Sequence, residues 1–145
     1  MRKLFLIAAV IFMSLGVACA SSDRPITVEN LPQKAQQFIK RYFSSVGVTF
    51  AKEDRDLLSK EYEVLFDDGS KVEFTADGEW KSVERKGVEV PADIVPQQIK
   101  DYIAKSYPDA QIRKIERDRN EYEVSLSNRL ELKFNKDFKL IEIVD

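Results

Sequence analysis

The 145-residue chain contains no histidine and a single cysteine, Cys19. Losing the imidazole removes the commonest general base and every serine or cysteine nucleophile activated by one, and a lone thiol with no histidine cannot assemble a zinc-type ligand set. No Ser-x-x-Lys occurs, and Ser59-Lys60 and Ser70-Lys71 put neighbouring side chains on opposite faces if they lie in strands. Glycine is scarce, five in all. The four beyond the N-terminal segment, Gly47, Gly69, Gly78 and Gly87, stand singly at predicted element boundaries, where a phosphate loop needs them clustered. Basic residues (23) are interspersed with acidic ones (25) and form no stripe, which argues against a nucleic-acid partner. The one long apolar run, Leu4 to Leu15, is broken by Ser14 and is too short to cross a bilayer as a helix.

That run reads as a leader. Arg2 and Lys3 provide the positive start, and Gly16-Val17-Ala18-Cys19-Ala20 is the small-residue zone, so residues 1–20 are assigned as a signal peptide. Two cleavage readings compete. Ala18-Cys19-Ala20 fits ordinary release. Gly16-Val17-Ala18-Cys19 resembles a lipoprotein signal that acylates Cys19, although the usual leucine sits one place early, at Leu15. An exported protein seldom keeps a partnerless cysteine, which favours lipidation, with Ala20-Ser21-Ser22-Asp23 as a short tether. Residues 21–145 then form one α+β domain stabilised by packing, without disulfides.

The strongest pattern is internal repetition. Leu31, Ala35, Phe38, Ile39 and Phe43 coincide with Val95, Ile99, Tyr102, Ile103 and Tyr107, one amphipathic helix face written twice. Asn30 with Gln33, and Asp93 in the second copy, are the expected caps. Downstream, Glu61-Tyr62-Glu63-Val64 matches Glu121-Tyr122-Glu123-Val124, and Phe66, Val72 and Phe74 match Leu126, Leu132 and Phe134. Alternation of apolar and charged residues predicts strands near 48–54, 60–66, 70–75 and 80–85, then 111–117, 120–126, 129–134 and 139–144. The expected fold is α+β: two tandem repeats, about 29–87 and 92–145, each a helix plus a four-stranded antiparallel meander, together forming a curved sheet backed by helices.

Leu-Pro-x-x-Ala-x-x-Phe-Ile at 31–39, Tyr-Glu-Val at 62–64, Gly-Glu-Trp at 78–80, Val-Pro-x-x-Ile at 95–99 and Tyr-Pro at 107–108, behind a signal peptide, resemble the PepSY-like periplasmic proteins of Bacteroidetes. That family is similar in fold to the β-lactamase inhibitor protein, whose two helix-and-sheet repeats grip an enzyme on a concave surface. The resemblance implies a cell-envelope location and inhibition or sequestration of a partner. It supplies no catalytic or binding residues.

The sequence therefore points to a non-enzymatic periplasmic or envelope-bound module for a protein or peptide partner, with no cofactor, no metal and no catalytic residue assigned. Glu63, Leu65, Glu73, Glu123 and Lys133 are the contact candidates, all expected on the outward sheet face. A membrane-anchored structural or sensory accessory, touching the membrane only through Cys19, is the alternative. A paired-carboxylate hydrolase is the third reading, opposed by the lack of a shielded pocket for Glu61, Glu63, Glu73, Glu121 and Glu123. Asp67-Asp68-Gly69 and Asp54-Arg55-Asp56 lack the spacing of a calcium loop. Trp80 matches Leu140, which argues for a packed position, while a hairpin tryptophan can also be a binding anchor.

Overall fold

The computed structural model describes residues 22–145. The leader at 1–20, and Cys19 with it, lies outside the described residues. Nine strands and two helices follow in the order β1 (Ser22–Ile26), α1 (Gln33–Tyr42), β2 (Val48–Arg55), β3 (Lys60–Phe66), β4 (Lys71–Thr75), β5 (Trp80–Glu84), α2 (Gln97–Ser106), β6 (Ile112–Arg117), β7 (Glu121–Leu126), β8 (Glu131–Asn135) and β9 (Leu140–Val144). Every strand pairs antiparallel with its neighbour in sequence, giving one open nine-stranded sheet with β1 and β9 at its edges.

The core forms on one side of this sheet because the alternation along each strand commits one face to apolar residues. Tyr62, Val64 and Phe66 of β3, Val72 and Phe74 of β4, Val83 of β5, Ile115 of β6, Val124 and Leu126 of β7, and Leu132 and Phe134 of β8 are all buried. Both helices lie on them, through Leu31, Ala35, Ile39 and Phe43 at α1 and Val95, Ile99 and Ile103 at α2. Phe38 meets Phe74 edge-on at 5.6 Å and Tyr102 meets Phe134 likewise at 5.7 Å. The registers of β2–β5 and β6–β9 coincide position for position. Tyr62 faces Phe74 as Tyr122 faces Phe134, and both fourth strands slip by one residue after Glu73 and Lys133.

Three sequence expectations need correction. Ser22 and Asp23, expected in a tether, belong to β1, which pairs along β2 from Ser22–Arg55 to Ile26–Ala51. Its irregular sequence and Pro25 hid it, yet proline is tolerated at a sheet edge, where its missing N–H interrupts no ladder on the open side. Asn30 and Asp93 do not cap the helices. Each lies in a short 3-10 turn, Val28–Asn30 or Ala92–Ile94, and the helices begin after Pro32 and Pro96. Asn30 instead takes a 3.0 Å hydrogen bond from the Thr27 hydroxyl.

The two halves meet at β5 and β6, where only Ser82–Glu116, Val83–Ile115 and Glu84–Lys114 pair. Arg117 reinforces this seam. Its guanidinium stacks 3.8 Å from the centre of the Trp80 ring, and its Nε donates to the Trp80 carbonyl at 2.8 Å. A second nitrogen lies 3.6 Å from Glu79, which also takes a 2.8 Å hydrogen bond from Lys34 of α1. That bond, more than the charges nearby, holds the Glu79 carboxyl below the usual carboxylate range. Trp80, at 8 % exposure, is part of the core.

Candidate functional site

The sheet face turned away from the helices is built by the same alternation that builds the core, so each polar side chain on it has a fixed neighbour. One row crosses eight of the nine strands through Lys52, Glu63, Glu73, Ser82, Glu116, Glu123, Lys133 and Glu142, each opposite the next. Four of the five contact candidates, Glu63, Glu73, Glu123 and Lys133, stand in this row. The fifth, Leu65, lies in the adjoining row, opposite Lys71 on one side and Phe50 on the other.

Phe50 is the neighbour that sequence reading missed. An irregularity in the β2–β3 register between Val48 and Phe50 sets it on this face opposite Leu65, 40 % exposed. Leu65 is therefore not isolated among charges: Phe50 and Leu65 make a small apolar pair beside the acidic row. Glu116 was missed too. The Lys114-Ile115-Glu116 alternation in β6 places it on this face, but pairing it with Glu123 requires the register.

Acidic residues outnumber lysines on this face, and the lysines are largely engaged. Lys52 bonds Asp23 at 3.0 Å, Lys81 bonds Glu61 at 2.6 Å, and Lys114 lies 3.3 Å from Glu116. Lys133 faces Glu123 across the ladder yet pairs with Glu142 at 3.0 Å, while Lys71 reaches its own strand neighbour Glu73 at 3.6 Å. Among the described residues Glu63 and Glu123 have no ion-pair partner. Glu123 is pushed above the ordinary glutamate range, first by partial burial and then by the like charges of Glu116 and Glu131. With Lys81, Glu116, Asp118 and Glu121 it lines a shallow depression of about 180 Å³. Among the described residues no three acidic groups converge closely enough to hold a metal ion.

The face is open, its acids sit in register, and its one apolar pair adjoins an unpaired glutamate.

Residues 60–142 match the family model described as "Putative beta-lactamase-inhibitor-like, PepSY-like". Three solved structures share the fold over nearly their whole length. A protein of Bacteroides thetaiotaomicron described as a "putative calcium-regulated periplasmic protein" is 51 % identical, with a TM-score of 0.82, covering 85 % of this chain and 97 % of its own. A protein of the DUF2874 family from Bacteroides vulgatus, described as a "putative periplasmic protein", is 47 % identical, TM-score 0.84, covering 87 % and 99 %. Another from Bacteroides vulgatus, described as of unknown function, is 33 % identical, TM-score 0.81, covering 86 % and 100 %. No curated protein matches. The chain shares the exported, periplasmic location of these relatives.

Proposed function

Because this chain belongs to the PepSY-like family, we propose that it is a non-enzymatic periplasmic binding module that holds a protein or peptide partner on the helix-free face of its sheet, inhibiting or sequestering it. We read the coincident registers as two tandem copies of one helix-plus-four-strand unit, which gives the face its length. The observation that carries the binding reading is the meeting of the Phe50–Leu65 pair with acids that have no cation of their own, Glu63 next to it and Glu123 across the sheet. Desolvating an unpaired carboxylate is unfavourable unless a cation arrives with the partner, so the partner should present a basic patch around an apolar contact.

The test is capture from native envelope extract with the full chain, in parallel with Leu65→Arg/Glu123→Arg. A stoichiometric partner that is lost with the double variant and released by raised salt supports the reading. A partner retained equally by both, or no partner, refutes the proposed face. Lys40→Glu, on the solvent side of α1, should leave capture unchanged.

A further inference from the structure

Six hairpin turns join strands among the described residues. Five carry residues that favour turns or water: Asp67-Asp68-Gly69, Ala76-Asp77-Gly78, Asp118-Arg119-Asn120, Asn128-Arg129 and Lys136-Asp137. The β2–β3 turn carries Leu57-Leu58, which are 91 % and 99 % exposed. The turn holding them is closed. The Asp56 N–H donates to the Ser59 carbonyl at 2.9 Å, and the Asp56 carboxylate takes the Leu57 N–H at 2.7 Å. Two adjacent leucines are thus presented to water at the apex of a hydrogen-bonded hairpin. The corresponding turn of the second half, Asp118-Arg119-Asn120, has no apolar residue at all.

The path of the chain says what meets this apex. Ser22, where the described residues begin, pairs with Arg55, two positions before Leu57. The sequence immediately ahead of Ser22 is the export segment, with Cys19 three residues away, and three residues of chain reach at most about 10 Å. A lipid on Cys19, the lipoprotein reading of the leader, would lie within that reach of Ser22 and so at the Leu57-Leu58 end of the sheet. Asp56 and Ser59 adjoin the leucines, and Arg55 and Lys60 beyond them are both paired with Glu53 at 3.2–3.3 Å, so the apolar side chains rather than charge set the character of the tip.

We propose that the Leu57-Leu58 hairpin apex inserts into the interfacial layer of a phospholipid bilayer. An apolar tip suits that layer, where its two leucine side chains leave water among headgroups and acyl-chain ends. The strands then stand on the membrane by their β2–β3 end, and the helix-free face opens sideways. This inference does not depend on the binding reading, because it uses no residue of that face.

The full chain, exported by its own leader, is purified with Leu58→Cys bearing an environment-sensitive nitrobenzoxadiazole label. Cys19 does not compete, since acylation consumes its thiol and cleavage after Ala20 removes it. Vesicles of phosphatidylethanolamine and phosphatidylglycerol are added, and emission is compared with a label at Ser45→Cys, in the loop at the other end of β2. The expected result is a blue shift with several-fold brightening at position 58, none at 45, and loss of the effect when Leu57→Asp is added. Emission at 58 that stays water-like, with the protein floating on vesicles or not, overturns the proposal. An equal shift at both positions also overturns it, since the contact then has no preferred end.

Discussion

The half of the sheet carried with α1 and the half carried with α2 share a register, yet they are not packed alike. In the first, Phe43 stacks on Phe66 at 4.3 Å and the Arg85 guanidinium covers Phe43 at 4.9 Å. Arg85 is itself held by Ser70, whose hydroxyl it reaches at 3.1 Å. In the second, the same places hold Tyr107 and Leu126, and Tyr107 with Ile103, Ala110 and Ile112 lines an apolar depression of about 250 Å³. Tyr62 is buried while Tyr122 is half-buried, and Trp80 is sealed by Arg117 while Leu140 ends in an edge strand whose Ile141, Ile143 and Val144 remain exposed. The difference follows from position: β5 has β6 beyond it, and β9 has no strand beyond it. A shared backbone pattern sets which side chains face the core, and neighbours decide how well each is enclosed.

The comparison breaks most easily at its most enclosed point. Phe66→Ala should cost about 4 kcal/mol, and Leu126→Ala, beside a depression already open to water, nearer 2 kcal/mol, both read from urea unfolding. Equal losses would mean the halves are equally packed. Gly78 offers the next contrast. It has φ +84°, and a Cβ there would stand 2.8 Å from the Pro32 Cβ at the start of α1. Gly78→Ala should therefore cost about 2–4 kcal/mol, from left-handed strain added to overpacking. The matching place in the second half is held by Phe138, which tolerates φ +62° while its ring meets Tyr122 at 5.4 Å.

Turn strain supplies a change of opposite sign. Arg129 has φ +74° where its counterpart is Gly69, and its side chain is exposed. Arg129→Gly should stabilise by about 1 kcal/mol, seen as a raised midpoint with unchanged denaturant slope. A loss of stability would show that the arginine makes a contact worth more than the strain. The smallest effect expected is at Glu123. Removing a partly buried charge opposite Glu116 by Glu123→Gln should stabilise by about 0.5 kcal/mol near neutral pH. Its carboxyl titrates higher in the folded state than in the unfolded one, so ionisation opposes folding at pH above both values. The advantage of the variant should accordingly shrink as pH falls from the folded value through the unfolded one. Glu79 runs the other way: its lowered carboxyl contributes stability above its unfolded value, which is lost as pH falls through the folded one. A pH-independent gap between wild type and Glu123→Gln would remove the electrostatic account.

Much of this fold was legible because period is a strong signal. Strand positions from Val48 onward agree with the alternation to within two residues, and the helix faces are those given by Ala35, Ile39, Ile99 and Ile103. Strand β1 was hidden because Ser-Asp-Arg-Pro-Ile alternates nothing, its stability coming from the edge of β2 rather than from a face of its own. Helix caps were misplaced by two residues at Asn30 and three at Asp93, because the prolines fix the first turn, leaving the polar residues ahead of them to a 3-10 turn. For the candidate face, parity placed Glu63, Glu73, Glu123 and Lys133 on one side, but which of them share a row depends on register. Phe50 escaped because a single-residue irregularity reverses parity. Leu57 and Leu58 drew no notice in the sequence, since an exposed pair and a buried pair are spelled alike.

The neighbour-to-neighbour order of the strands also bears on how the molecule forms after export. An exported chain arrives unfolded, and here each hairpin can close as soon as its second strand is free, without waiting for a distant segment. The exceptions are the β1–β2 and β5–β6 ladders, each of which must close across a helix. Until α1 docks, β1 has no partner, so the slow step in maturation should be the closing of the N-terminal edge, and the edge strand should be the first element to open again under stress.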